Sequence, residues 1–152
     1  GAEVEAVDLE QLKLPFFDGG PAEETPEAMR FRGLGKGADG LLIATPVYHD
    51  SYSGVLKNAL DLLYTELKDK LAALIAVGGG RVGQGQALEH LRAVFRETSC
   101  WVIPRQVAIP QSGEAFDEQG QLKDKELTTR LMTLGMELVV RCKQLRPRRR
   151  AP

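Results

Sequence analysis

Two segments rich in glycine and aromatic residues interrupt the hydrophobic pattern of this chain, and they hold the groups best suited to chemistry. The first is TPVYHDSYSG, residues 45–54, and the second is VGGGRVGQG, residues 77–85. Tyr48 and Tyr52 either pack as ordinary side chains at the edge of the sheet or cover a flat ligand, because tyrosine rings bring a large area at a small cost in conformational entropy. Adjacent glycines let the backbone approach such a ligand and direct N–H groups at it. Together these residue types predict a pocket for a planar, weakly charged ring system that carries its own reactivity.

The titratable side chains near these segments have two interpretations. His49 beside Asp50 fits acid–base catalysis or one corner of a metal site. Because no serine or cysteine nucleophile motif and no second cluster of ligands accompanies the pair, a surface histidine is favoured. His90 stands between Glu89 and Arg92 and is interpreted as part of a solvated helix face. We therefore predict neither a catalytic side chain nor a metal site.

The second segment contains a partial dinucleotide-binding motif. Gly78, Gly80 and Gly83 match G-x-G-x-x-G between a strand and a helix. That motif also requires an acidic residue about 20 positions later, at the tip of the next strand, whereas Glu97 falls at the end of a helix. No Lys-Ser or Lys-Thr follows the last glycine, which excludes a Walker loop. The segment is either a loop whose backbone N–H groups bind a flat ligand or a flexible turn in which glycine only prevents steric clashes.

The elements that position both segments alternate between strands and helices. Apolar runs and alternation predict strands at 2–9, 39–46, 70–77, 100–104 and 106–110, and helical spacing predicts helices at 26–34, 53–68, 85–98 and 123–144. Strand 39–46 has the continuous apolar character of a strand covered on both faces. The alternation is typical of an α/β sheet with mainly parallel strands. Ligands of such sheets bind beyond the carboxyl ends of the strands, so both segments should converge on one edge.

Composition sets the class of protein. The 152 residues are 43% hydrophobic and 27% charged, with a net charge of −1, which fits one globular domain over residues 1–145. This charge predicts neither a nucleic-acid nor a membrane partner. The basic tail at 146–152 is interpreted as solvated terminal residues, although a nuclear-import signal also matches. Cys100 and Cys142 lack CxxC spacing, which favours a reducing, cytoplasmic location.

The first segment continues into a longer signature. TPVYHDSYSGVLKNALDLL, residues 45–63, resembles TPEYxxSxxGxLKNAxDxL of the NAD(P)H-dependent FMN reductases, a flavodoxin-like family that includes quinone, azo-dye and chromate reductases. The resemblance extends through 71–95 and 104–122. It implies a flavodoxin-like three-layer α/β/α fold with a parallel sheet. It also implies FMN as cofactor, NADPH or NADH as co-substrate, and hydride transfer from the nicotinamide to FMN and on to a flavin, quinone, azo or metal acceptor.

The resemblance also implies the residues that border the cofactor. One group would line the isoalloxazine, mainly through backbone atoms: Thr45, Pro46, Val47, Tyr48, His49, Ser51 and Tyr52. The other would border its pyrimidine edge: Gly78, Gly79, Gly80, Arg81 and Gly83. Val47 replaces the usual glutamate, and Asp50 replaces a frequent glycine. The 53–68 helix, with Lys57, Asn58 and Asp61, would form the interface of a homodimer or homotetramer.

One part of the family pattern has no counterpart in this sequence. In the family, a first strand and a Ser/Arg-rich loop that holds the FMN phosphate come earlier in the sequence than the segment that begins here at Gly1. In the sheet, that first strand would lie between strands 2–9 and 39–46. We favour the interpretation that N-terminal residues are missing from this chain. The alternatives are a strand donated by a partner, or a degenerate relative. In the last case the protein is a flavodoxin-like binding or interaction module that has lost tight FMN binding and turnover. A Rossmann-type NAD domain is disfavoured by the misplaced Glu97.

Overall fold

A four-stranded sheet forms the centre of the computed structural model, which describes residues 1–145; the predicted basic tail, 146–152, lies outside the described residues. The strand order is β2-β1-β3-β4. The strands are β1 (Gly40–Tyr48), β2 (Ser51–Tyr52), β3 (Leu71–Val77) and β4 (Trp101–Ile109). β1, β3 and β4 run parallel, whereas β2 is a two-residue antiparallel strand that folds back on the end of β1.

Helices cover both faces of this sheet. They are α1 (Pro26–Gly37), α2 (Gly54–Leu62), α3 (Gln84–Glu97), the short α4 (Ser112–Ala115) and α5 (Lys125–Leu145), with a 3-10 turn at Pro21–Glu24. The side chains of α1, α2 and α3 pack on Ala72, Leu74 and Ala76, whereas α5 packs on Leu71 and Ala73. β3 is apolar along its whole length because it is buried on both faces. The three-layer α/β/α arrangement with a mainly parallel sheet is confirmed.

The helix that follows the first segment begins as predicted but ends early. The Ser53 hydroxyl accepts a hydrogen bond from the Leu56 N–H at 3.2 Å, which caps α2. The prediction of helix to residue 68 is wrong, because residues 63–69 form successive turns that bury Leu67 completely. α1 packs closely there, since a Cβ on Gly35 would stand 2.6 Å from Leu63 Cδ2. The same packing accounts for α1 running through its glycines to Gly37 instead of ending near residue 34.

The predicted strand at 2–9 is wrong. Residues 1–8 are exposed and form no regular element, because no strand of residues 1–145 pairs with them. Alternation alone cannot stabilise a strand whose backbone groups lack partners. The chain packs on the core only further along, and Asn58 holds it there. Its Oδ1 accepts from the Phe17 N–H at 2.8 Å, and its Nδ2 donates to the Pro15 carbonyl at 2.9 Å.

Two predictions about strands need correction. β1 is not covered on both faces, because α5 lies over β3, β4 and only the start of β1 at Gly40, and leaves Leu42 52% exposed. The segments at 100–104 and 106–110 form one strand, β4. Its pairing with β3 shifts register between Ala72 and Leu74, so the interruption at Pro104 is absorbed as an irregularity in a continuous strand. α4 lies between the predicted strand at 106–110 and the predicted helix at 123–144, where neither a strand nor a helix was predicted.

The two cysteines are expected to differ in reactivity. Burial raises the pKa of Cys100 to about 12, and its Sγ donates to the Lys70 carbonyl at 3.3 Å. Cys142 is only half-buried. Because the thiolate is the reactive form, iodoacetamide in mildly alkaline buffer should alkylate Cys142 in the native protein and Cys100 only after unfolding. Peptide mass spectrometry checks the order, and native labelling of Cys100 would contradict the described packing.

A partly buried ion-pair network joins α1 to the turns after α2. Arg32 Nε donates to Glu66 Oε1 at 3.1 Å, and Arg32 also pairs with Glu23. Burial alone would raise the pKa of Glu66, but the hydrogen bonds from Arg32 and Thr65 outweigh it and hold the pKa below its ordinary value of 4.5.

This network predicts an acid-sensitive contribution to stability. A carboxyl group whose pKa is lowered by folding stabilises the protein above its unfolded pKa, and that contribution is lost as the pH falls through the folded value. The free energy of unfolding should therefore fall below pH 4.5 by a larger amount in the parent protein than in Glu66→Gln. Urea denaturation at several pH values measures this difference, and identical pH profiles would refute the role given to Glu66.

Candidate functional site

The carboxyl ends of the three parallel strands lie together at one edge of the sheet. Pro46 of β1 is opposite Val77, which in turn is opposite Ile109 of β4. The segments that leave these ends, residues 45–53, 78–83 and 110–112, are called the rim here. The predicted convergence of the two sequence segments is therefore present in the fold.

A tight hairpin forms one side of the rim. His49 and Asp50 connect β1 to β2 with φ angles of 50° and 58°. Two successive left-handed residues in a two-residue connection are typical of a type I′ turn, and histidine and aspartate tolerate this conformation better than most residues. The turn leaves Tyr48 61% exposed and directs the Asp50 carboxylate against Gly83. The hairpin and the glycine loop are thus in direct contact.

The glycine loop is held in place by backbone hydrogen bonds at Gly78 and Gly80 and by one buried side chain. The Gly78 N–H donates to the Ile109 carbonyl at 2.9 Å, and the Gly80 carbonyl accepts from the Gln111 N–H at 3.0 Å. The same Gly80 carbonyl accepts from Gln84 Nε2 at 2.9 Å. The sequence-based prediction missed Gln84, which is only 3% exposed. The sequence feature that could have identified Gln84 is a polar residue at a position on the apolar, inward face of α3.

The amide groups of this loop are available to a ligand. Within residues 1–145, the backbone N–H groups of Gly79–Gly83 donate to no protein acceptor. Gly79 and Gly80 are exposed, and nothing lies within 4 Å of the position that a Cβ on Gly79 would take. A flat ring with acceptor atoms along one edge fits this arrangement, because it can lie on the glycine surface and accept from the amides. The residues present therefore suit the ring of FMN.

A side-chain contact joins the hairpin to α3. His90 Nδ1 lies 3.0 Å from Ser51 Oγ, and His90 Nε2 lies 2.9 Å from Gln86 Nε2. His90 is exposed, as expected, but it also contacts a residue of the predicted site. The sequence could not reveal this contact, because 39 positions separate the two residues.

The predicted site residues differ in exposure. Two are buried beneath the rim and shape it from below: Thr45 and Gly78. The half-buried ones are Val47, Ser51, Tyr52 and Gly83, and the exposed ones are Pro46, Tyr48, His49, Gly79, Gly80 and Arg81. The Thr45 hydroxyl is used internally, since it accepts from the Ser53 N–H at 3.1 Å. The rim is an open surface, and the exposed residues are those that a ligand would meet first.

Removal of the Gln84 amide is expected to destabilise the glycine loop. Gln84→Ala should lower the free energy of unfolding by about 1–2 kcal/mol, because the partly buried hydrogen bond from Gln84 to the Gly80 carbonyl is lost. Gln86→Ala is the matched control, since Gln86 is exposed on the same helix and should change stability by less than about 0.5 kcal/mol. Urea denaturation measures both, and equal losses would contradict a special role for Gln84.

Comparisons with known proteins agree with this geometry. The family model described as NADPH-dependent FMN reductase matches residues 1–114. An NADPH azoreductase from Bacillus sp. (strain OY1-2) is 38% identical over 122 residues, which are 76% of this chain and 68% of that protein. An FMN-dependent NADPH-azoreductase from Staphylococcus aureus is 43% identical over 96 residues, 61% of this chain and 50% of its own length. The chain thus spans between half and about two thirds of the length of these curated relatives.

Structural similarity supports the fold. FerB, a flavoenzyme NAD(P)H:(acceptor) oxidoreductase from Paracoccus denitrificans, superposes with a TM-score of 0.74 at 24% identity, covering 87% of this chain and 76% of its own. At this identity the likeness concerns the fold alone. The flavodoxin-like fold class predicted from the sequence is confirmed.

Proposed function

Because the chain belongs to the NADPH-dependent FMN reductase family, we propose that it reduces a small electron acceptor at the expense of NADPH, with FMN bound at the rim. The observation that carries this proposal is the row of unpaired amide donors, Gly79–Gly83, in a rim that also holds the exposed Tyr48. The two curated relatives are named azoreductases, which makes an azo compound the first acceptor to test.

Each part of the rim has a distinct role in this proposal. The amides of the glycine loop hold the pyrimidine edge of the ring, and the backbone of Pro46–His49 lies along its side. Bound FMN supplies the redox chemistry, since it takes two electrons from NADPH and gives them to the acceptor. Arg81 is exposed in the same loop and orients the phosphate groups of the nicotinamide nucleotide. No side chain is assigned as an acid or base.

Asp50 sets the charge at this site. Its carboxylate lies against Gly83, so a negative charge stands between the hairpin and the glycine loop. A nearby like charge disfavours further negative charge on a bound ring. Replacing the frequent glycine of the family signature by aspartate therefore disfavours the anionic reduced form of the cofactor.

The deciding experiment separates an enzyme from a binding module without turnover. The protein is incubated with FMN, passed through a desalting column and examined for flavin absorption. NADPH oxidation is then followed with an azo dye and, separately, with a quinone. Retained flavin with acceptor-dependent NADPH consumption supports the proposal. Retained flavin without turnover favours the binding module, and absence of retained flavin contradicts cofactor binding by this chain.

We also propose a homo-oligomer formed through residues 53–68. Asn58 is occupied by Pro15 and Phe17, so the surface that this segment offers to a second copy centres on Val55 and Tyr64, which are 58% and 51% exposed. Sedimentation velocity tests this, and a monomer at micromolar concentration would contradict it. A cytoplasmic location is proposed from the thiol state of both cysteines and is tested by cell fractionation.

A further inference from the structure

A second concave site lies at the edge of the sheet opposite the rim. It is an open cavity of about 450 Å³ at the start of β4 and the end of α3, lined by Asp69, Arg92, Arg96, Ser99, Cys100, Trp101 and Val102. This volume falls within the range of small-molecule pockets. The seven residues of β3 separate the two edges by about 20 Å. A ligand in this cavity therefore has no contact with a ligand at the rim.

The lining of the cavity combines an exposed aromatic ring with an unpaired cation. Trp101 is the only tryptophan of the chain and is 65% exposed. Arg96 is also exposed, and within residues 1–145 its guanidinium forms no ion pair or hydrogen bond. The lining holds two arginines, Arg92 and Arg96, and one carboxylate, that of Asp69, so positive charge predominates among its side chains. Glu89 approaches Arg92 only to 3.9 Å.

Arg92, the other arginine of the lining, is held in place by hydrogen bonds within the protein. Arg92 Nε donates to Gln106 Oε1 at 2.7 Å, and its Nη2 donates to the carbonyls of Ile103 and Pro104 at 3.0 and 3.1 Å. These bonds hold β4 where its register shifts against β3. Irregularities of this kind are frequent at sheet edges beside functional sites. Arg92 thus positions the wall of the cavity that carries Trp101.

Backbone strain is concentrated at the same place. Asp69 and Ser99 both line the cavity and both have left-handed backbones, with φ angles of 61° and 57°. The Asp69 N–H donates to the Ser99 carbonyl at 3.0 Å, so the two strained residues support each other. Such conformations cost free energy and are enriched at binding sites.

We propose that this cavity binds a planar aromatic anion, with the ring on the Trp101 indole and the anionic group on the Arg96 guanidinium. Indole rings stack favourably on flat ligands. A guanidinium group can bind two oxygens of one carboxylate, sulfonate or phosphate through two parallel hydrogen bonds. Because Arg92 already holds the β4 wall that carries Trp101, less conformational entropy is lost when a ring stacks there. The proposal does not depend on FMN binding or on turnover.

The single tryptophan provides a direct test. Naphthalene-2-sulfonate is titrated into ¹⁵N-labelled protein, and the one indole N–H cross-peak is followed by NMR. The peak should shift and saturate with the sulfonate, and shift much less with the neutral 2-naphthalenemethanol. Arg96→Ala should weaken sulfonate binding by about tenfold or more, because a charged hydrogen bond is removed. Arg130→Ala, an exposed arginine on α5 across the sheet, is the matched control and should bind as the parent does.

Any of four results would overturn the proposal. The indole peak could stay unmoved, it could respond equally to the neutral alcohol, or Arg96→Ala could bind as tightly as the parent. A change of oligomeric state in Trp101→Ala would also count against it, because the cavity would then be part of a subunit interface.

Discussion

Phe95→Ala is expected to lower the free energy of unfolding by about 3–5 kcal/mol, which is the usual cost of deleting a fully buried aromatic side chain. Phe95 is completely buried on the inward face of α3, within the core cluster that also contains Leu60, Leu74 and Leu91. Its removal leaves a cavity that the surrounding sheet and helices fill only partly. A small domain has a total stability of about 5–15 kcal/mol, so the variant should unfold at a much lower urea concentration.

Met132→Ala is the control for this prediction. Met132 is 63% exposed on α5, so its truncation should change stability by less than about 0.5 kcal/mol. Urea denaturation followed by circular dichroism measures both variants. If Phe95→Ala were as stable as Met132→Ala, the described packing of α3 on the sheet would be wrong.

Gly79→Val is expected to weaken FMN binding by about tenfold to a hundredfold, because two methyl groups would occupy the surface proposed for the ring, at a cost of about 1–3 kcal/mol. The protein itself has room for the side chain. Nothing lies within 4 Å of a Cβ at Gly79, and its φ angle is not left-handed. Stability should therefore change by less than about 0.5 kcal/mol.

Gly33→Val provides the matched comparison, since Gly33 lies in α1 and also has nothing within 4 Å of its Cβ position. Fluorescence titration of FMN against both variants measures affinity, and urea denaturation measures stability. Equal FMN affinity in Gly79→Val and the parent would show that the glycine loop is not part of the cofactor site. Weaker affinity in both variants would indicate an effect that is not local to the rim.

The sequence predicted the order of the elements and the position of the two chemical segments. The apolar run of β3 and the helical spacing of α3 are strong local signals, and Ser53 caps α2 as expected. Because parallel strands place their carboxyl ends at one edge, convergence of the segments followed from the element order alone. The family signature at 45–63 led to the family that the comparisons confirm.

Other features of the site depend on contacts that no local pattern encodes. Gln84 was missed because its role depends on the Gly80 carbonyl, which it meets only when α3 docks on the loop. The contact between His90 and Ser51 likewise requires the hairpin to fold back against α3. Propensity and periodicity report on hydrogen bonds within a segment, whereas these bonds join segments that are distant along the chain.

The sequence by itself determined which segments are strands and helices wherever the pattern was long and apolar, and it determined which residue types stand at the rim. Only the tertiary structure decided whether residues 2–9 pair, where α2 ends and which face of β1 is covered. The physical reason is that a strand or a helix end is stabilised by partners from elsewhere in the chain. An alternating segment without such a partner remains exposed, whatever its own propensity.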